Sequence, residues 1–352
     1  MRAITFYDWM KAALYDPAHG YYQRSDRERW GRAGDYRTSP ERSALFAATF
    51  ARYFVRLYEE LGQPREWTIV ECGAGGGDFA FGVLEALAQQ FPSVFDATSY
   101  VVYDVSLDAL RRTSERLVDF GDRVKFSSSF DEIHTDNGIF FSNELLDAFP
   151  VHRVVQTEQG LAELHVDGFT WVEGPLSTPR LAEFCAQYAP ELIVGQVIEI
   201  NLEIDEWFAR VAGKLANGFV ITVDYGAESV ELYDATVRPN GTLRGFRRHE
   251  FVNDLLAQPG ECDITASVNW THVKTVGERV GLKVVEFASQ DKFLLSAGLL
   301  AELEHQLGLA KTEAARAALT TGARDMILPG GMASSFQVLV QRRVKEENED
   351  VA

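Results

Sequence analysis

Cysteine is scarce in this chain, histidine is scattered, and basic residues are outnumbered. The three cysteines, Cys72, Cys185 and Cys262, are odd in number and share no metal-ligand spacing. That argues against a disulfide framework and for a reducing, cytoplasmic setting. The seven histidines form no H-x-x-x-H or H-x-H pair, so no metal site is expected. No apolar run approaches the ~20 residues that a membrane-spanning helix needs. The first residues lack the apolar core of a signal peptide and are not Arg- and Ser-rich before Asp8, so neither a signal nor a transit peptide is expected. Lys and Arg number 34 against 52 Asp and Glu, for a formal charge of -18. A net-negative body repels phosphate backbones, which disfavours nucleic acid as a partner. A basic peptide or a neutral small molecule stays compatible.

What is present is ordinary globular material: 46% hydrophobic and 24% charged residues over 352 positions. That length fits one enlarged domain or two. Apolar residues recur at helical spacing over 4–14 and 44–61. From Trp67 onward, strands (67–71, 100–103, 123–126, 138–141) alternate with helices (79–90, 107–120), which predicts βαβ units and a parallel sheet. After Pro150 the period changes to two, over 151–156, 161–166 and 169–172, with Gly160 and Asp167-Gly168 between. This reads as an inserted antiparallel hairpin or meander. A helix is expected over 198–215, a fifth parallel strand over 219–223 and a loop over 226–266. Beyond lie a helix at 268–280, a strand at 283–287, one or two helices over 294–321 and a last strand at 335–342. The organisation read from this is an N-terminal helical or lid segment (1–62), a Rossmann-like half (63–150), an inserted hairpin and helices (151–215), completion of the sheet with a substrate loop at 226–266 (216–345), and an acidic tail (346–352).

The informative turn is Glu71-Cys72-Gly73-Ala74-Gly75-Gly76-Gly77-Asp78. In a doubly wound sheet the turn after the first strand approaches a nucleotide cofactor, and glycine lets the backbone come close. Dinucleotide enzymes want G-x-G-x-x-G/A, with a pyrophosphate on the helix N-terminus. Gly73 and Gly75 fit that pattern, but Asp78 stands at its third position. The pattern E-x-G-x-G-x-G, which resembles motif I of S-adenosylmethionine-dependent methyltransferases, is matched in full by Glu71, Gly73, Gly75 and Gly77. S-adenosylmethionine carries a sulfonium and an ammonium and no phosphate, so carboxylates attract it and would repel a nicotinamide dinucleotide. A tight turn without a ligand is the bland alternative. Asp104 ends the second strand, where an acid accepts from ribose hydroxyls. It lies 31 positions past Gly73, longer than the usual ~20, and the loop near Pro92 accounts for the excess. Ser127–Phe130 is a weaker candidate for contact with the adenine.

Seven segments in order resemble the MidA-like methyltransferases. They are Asp16-Pro17-Ala18-His19-Gly20-Tyr21-Tyr22, Gly34-Asp35-Tyr36-Arg37-Thr38-Ser39-Pro40-Glu41, the glycine turn, Asn143-Glu144-Leu145-Leu146-Asp147-Ala148-Phe149-Pro150, Asp224-Tyr225-Gly226, Gly241-Thr242-Leu243-Arg244-Gly245-Phe246 and Asp263-Ile264-Thr265-Ala266. The resemblance covers roughly residues 5–345. It implies a class I methyltransferase Rossmann-like α/β sheet with an additional substrate-binding subdomain, S-adenosyl-L-methionine as cofactor, and a protein arginine, on a respiratory complex I subunit or similar, as acceptor. Three features depart from the family's usual pattern: Gly73-Ala74-Gly75-Gly76-Gly77 where the family reads G-P-G-R-G, Asp104 for Glu, and Asn269-Trp270 for an acidic-aromatic pair. These bear on the substrate more than on the cofactor fold.

The chemistry then falls to a few side chains. Glu144 and Asp147 follow the fourth strand at the reactive edge, and their spacing puts them on one side of a helical turn. A carboxylate pair can hold a protonated guanidinium and take its proton as the methyl arrives; the alternative is a polar helix cap. Glu71, Gly73, Gly75, Gly77, Asp104 and Asn143 are expected to bind the cofactor. Asp35, Ser39, Asp224, Tyr225 and Arg244 are expected to line the substrate side. Competing readings are a helix N-cap box at 38–41, capping by Asp263–Thr265 of the helix from Val268, and a solvated loop for Arg244, Arg247, Arg248 and His249. Tyr21 and Tyr22 read either as a lid or as core. A small-molecule O- or N-methyltransferase and a non-catalytic assembly chaperone remain as alternative functions.

Overall fold

The computed structural model describes residues 3–25, 29, 34, 43–328 and 335–344. In chain order its strands are β1 Ile4–Thr5, β2 Trp67–Cys72, β3 Thr98–Tyr103, β4 Val124–Ser127, β5 Thr135–Asn143, β6 His152–Thr157, β7 Gly160–Asp167, β8 Thr170–Gly174, β9 Val197–Ile200, β10 Leu215–Ala227, β11 Arg244–Arg247, β12 Glu250–Phe251, β13 Asp263–Thr265, β14 Val268–Asn269, β15 Leu282–Ser289 and β16 Phe336–Arg343. They divide between two compact units. One holds residues 1–37, 144–207 and 225–276; the other holds 38–143, 208–224 and 277–352.

The second unit is built on a sheet of order β15-β16-β10-β5-β2-β3-β4. The pairs β10–β5, β5–β2, β2–β3 and β3–β4 are parallel, and β15–β16 is an antiparallel edge. Its central strands read as near-continuous apolar runs because both faces are covered. Ile139, Phe140 and Phe141 of β5 and Phe219, Val220, Ile221 and Val223 of β10 are all buried. The helix Ala44–Glu60 lays Phe46, Phe50 and Phe54 on that core. Phe79, from the helix Asp78–Gln90, stacks on Phe141 with ring centroids 4.1 Å apart. Ser43 caps the helix Ala44–Glu60 through Leu45 N–H at 3.3 Å, and the cap box expected at 38–41 lies outside the described residues.

The first unit is mainly antiparallel. β7 pairs with β6, β1 and β8, and β6 pairs with β9. The helix Phe6–Tyr15 buries Phe6, Met10 and Leu14 in a cluster with Val166, Leu256 and Ile264. Tyr21 is fully buried in the same cluster, and the Tyr22 hydroxyl donates to Asp263 Oδ1 at 2.5 Å. This pair is therefore core rather than lid.

Three expectations are corrected here. The stretch expected as one helix over 198–215 opens with β9, and its helix spans Glu203–Lys214. Ile198 and Ile200 face an apolar cluster, and the residues alternate as a strand does. The 226–266 stretch is not only loop, since β11 pairs with both β12 and β13. The helix Trp270–Arg279 is capped by Asn269, whose Oδ1 accepts from His272 N–H at 3.1 Å, and not by Asp263–Thr265, which form β13. Asn269 also accepts from the Ser229 hydroxyl at 3.1 Å. Its departure from the family pattern thus sits in a buried cap.

Candidate functional site

The carboxyl ends of five parallel strands align. Cys72 lies opposite Tyr103 and Ser142, Tyr103 opposite Ser127, and Val223 opposite Asn143. In open α/β sheets ligands bind at this edge. The turn after β2 explains its own sequence. Gly73, Gly75 and Gly77 have φ of +76°, +55° and +78°, a region where a Cβ is strained. The turn is tied down by Gly73 N–H to Tyr103 O at 2.8 Å and by the Thr113 hydroxyl to Gly75 O at 3.2 Å. Gly77 has a second constraint, because a Cβ there would lie 2.7 Å from Thr113 Cγ2. Gly77→Ala is therefore expected to cost roughly 1–3 kcal/mol of stability. Urea unfolding checks this, and an unchanged midpoint would contradict the turn geometry.

Asp104 follows β3 directly and is buried. Its Oδ1 accepts from Ser106 N–H at 2.8 Å and its Oδ2 from Gly75 N–H at 3.4 Å. The acid is thereby oriented against the glycine turn. Ser106 in turn caps the helix Leu107–Arg116. Glu71, the next-to-last residue of β2, is buried and accepts from the Tyr100 hydroxyl at 2.8 Å. Burial pushes its carboxyl up to about 8, with Asp104 and Asp78 adding repulsion and the Tyr100 hydrogen bond opposing them. Among the described residues no cation pairs with Glu71. Asp78 is different, since it forms an ion pair with Arg116. The electrostatic preference for a cationic ligand therefore rests on Glu71 and Asp104. These carboxylate acceptors suit a ligand with ribose hydroxyls and positive charge. Phe130, a candidate neighbour of the adenine, is buried against Tyr103 and Phe140. Asn143 is half-buried at the end of β5, and Asp224 is fully buried in β10.

In the first unit, Glu144–Pro150 is held by its backbone. Asp147 O accepts from Ala266 N–H at 2.9 Å, Leu146 O from Asn201 at 3.1 Å, and Ala148 O from the Tyr15 hydroxyl at 2.9 Å. The helical-turn argument for Glu144 and Asp147 is corrected. Only Leu146–Ala148 forms a 3₁₀ turn, and Glu144 has φ of +52°. A non-glycine residue in that region is uncommon and is held there by its surroundings. Asp147 is buried, and its carboxyl accepts from the Tyr225 hydroxyl and from Ala148 N–H. Desolvation outweighs these bonds and pushes the carboxyl up to about 6. The Arg244 guanidinium lies 5.9 Å from the centre of the Tyr225 ring. Asp147, Tyr225 and Arg244 are thus brought together from three separate stretches of sequence. Arg247 donates to Gln258 at 2.6 Å, while Arg248 and His249 have φ of +52° and +64° at the tip of the β11–β12 hairpin. Asp35 and Ser39 lie outside the described residues.

The family model described as "Putative S-adenosyl-L-methionine-dependent methyltransferase" matches residues 49–288. The chain belongs to this family. It is an S-adenosylmethionine-dependent methyltransferase of the class I α/β fold, and the MidA-like resemblance is borne out. The mitochondrial protein arginine methyltransferase NDUFAF7 of Rattus norvegicus is 26% identical over 364 residues, covering 95% of this chain and 79% of the relative. Its Homo sapiens counterpart is 26% identical, covering 95% and 78%. Among solved structures, a COG1565 superfamily member from Burkholderia thailandensis bound to S-adenosyl-homocysteine superposes with a TM-score of 0.85 at 28% identity, covering 98% of this chain and 89% of that one. Among the described residues, no helix of this methyltransferase is long and apolar enough to cross a membrane, and no group of His, Cys, Asp and Glu could hold a metal ion.

Sequence reasoning missed Tyr100. An aromatic in an apolar strand reads as core, and only the pairing of β2 with β3 puts its hydroxyl on Glu71.

Proposed function

We propose that this methyltransferase acts on the side chain of an arginine presented by a protein. The observation that carries the reading is the match, along nearly the whole chain, to relatives named protein arginine methyltransferase. The net charge of -18 favours a basic partner, and on this reading nucleic acid is not one. The scattered, buried cysteines Cys72, Cys185 and Cys262 suit a reducing compartment such as the cytoplasm, although the named relatives are mitochondrial.

Glu71, Asp104, Asn143 and the turn Gly73–Gly77 would hold the cofactor, which when bound supplies an electrophilic methyl group on a sulfonium. Glu144 and Asp147 would orient the guanidinium through charge-assisted hydrogen bonds. One of them would accept the proton that the nitrogen loses as it becomes methylated. Asp224, Tyr225 and Arg244, together with Asp35 and Ser39, would shape the acceptor side.

The test incubates the enzyme with methyl-labelled S-adenosylmethionine and fractionated cell protein, followed by acid hydrolysis. Label in methylarginine of a protein band supports the reading. Label confined to small molecules, or to another amino acid, overturns it in favour of a different acceptor.

A further inference from the structure

Glu71 is an unusual group to bury. It is 4% exposed at the end of a central strand, and its partner is a neutral hydroxyl. The register explains the pairing. Ile69 lies opposite Tyr100 and Glu71 opposite Val102, so Glu71 and Tyr100 share a face of the sheet. The Tyr100 ring is fully buried and reaches one step along its neighbour toward the carboxyl edge. On the other side β5 presents Phe141 opposite Glu71, which is apolar and buried. Among the described residues, the other titratable groups acting on Glu71 are Asp104 beyond β3 and Asp78 on the helix Asp78–Gln90, while Cys72, next in the chain, points to the opposite face. None of these brings positive charge.

We propose that Tyr100 is a positioning residue of the methyl-donor site, its hydroxyl holding Glu71 in the ionised form that a cationic donor requires. The proposal rests on the reading that Glu71 and Asp104 face the donor. Without ligand, two acids and burial favour protonated Glu71, and among the described residues the Tyr100 hydroxyl opposes them. Arrival of a cation shifts the balance, so Glu71 gives up a proton as the donor binds. The sign follows from linkage. A carboxyl raised when ligand-free and lowered in the complex makes affinity rise with pH until the ligand-free group is itself ionised, at about 8. One released proton corresponds to about tenfold in affinity per pH unit.

The experiment is titration calorimetry of the full chain with S-adenosylmethionine between pH 5.5 and 7, in two buffers of different ionisation enthalpy. That window lies below the ~7.7–8 of an α-amino group, so the donor keeps its charge. The native protein should release close to one proton and bind more tightly with rising pH. Tyr100→Phe should bind about tenfold more weakly at pH 7, keep the slope, and raise KM for the donor with kcat little changed. Glu71→Gln should release no proton and lose the slope, and this holds even if Tyr100→Phe fails to fold. Native affinity in a folded Tyr100→Phe overturns the positioning role. Retention of the full pH slope in Glu71→Gln overturns the proton linkage. Native binding by an Asp104→Ala variant alongside would mean instead that the donor does not occupy this turn.

Discussion

Asp104→Ala is expected to weaken binding of S-adenosylmethionine by two to four orders of magnitude. The side chain sits at the carboxyl edge between β3 and the glycine turn, with both oxygens already oriented by Ser106 N–H and Gly75 N–H. Each oxygen has a further lone pair for a ribose hydroxyl. Two charge-assisted hydrogen bonds at roughly 1.5–3 kcal/mol each give about 3–6 kcal/mol, which sets that range. Asp104→Asn keeps the size and one acceptor and should fall between native and Ala. Binding measured by calorimetry, with melting curves as a check on folding, decides the matter. An Ala variant that folds and binds within a few-fold of native would remove Asp104 from the cofactor site.

The second large effect is on the chemical step. Glu144→Gln and Asp147→Asn are each expected to lower kcat by roughly 10²–10⁴, the usual range for a positioned acid or base, with KM for the donor nearly unchanged. The two should differ in pH dependence. The Asp147 carboxyl is pushed up to about 6, so it becomes a proton acceptor only above that pH. The native rate should fall as pH drops through about 6, and Asp147→Asn should lose that limb. The same shift has a sign for stability. A carboxyl raised in the folded state contributes stability present below its unfolded value and lost as pH rises through about 6. Stability of Asp147→Asn should lack that decline. Single-turnover rates with a labelled protein acceptor read the first effect, and urea unfolding at several pH values reads the second. Full activity in both variants would place the acceptor chemistry elsewhere on the chain.

Much of this was legible in the residues because local rules and the fold agree. The strands β2, β3 and β5 are legible as apolar runs broken by turn residues, since strands buried on both faces need that composition, whereas the edge strand β4, with Lys125 and Phe126 exposed, gives a weaker signal. The hairpin after Pro150 was found by alternation, since one of its faces is partly solvated. Where local and tertiary signals parted, the reading slipped. Between Val197–Ile200 and the helix Glu203–Lys214 the break is marked by Asn201, whose Oδ1 accepts from Glu203 N–H at 3.2 Å, and only pairing with β6 makes the stretch before it a strand. Glu144 and Asp147 stand at helical spacing, yet the backbone of their segment is fixed by Ala266, Asn201 and Tyr15, far away in the chain.

The sequence by itself determined the cofactor class. Three glycines at alternate positions meet three positive φ angles, an acid follows directly on a strand at the carboxyl edge, and both signals are local. Tertiary structure alone decided the ionisation of the acids. Glu71 is buried against the Tyr100 hydroxyl and Asp147 against Tyr225, while Asp78 is ion-paired with Arg116. A carboxyl's charge state depends on burial and on neighbours brought from other strands and loops, and no spacing within one segment encodes those.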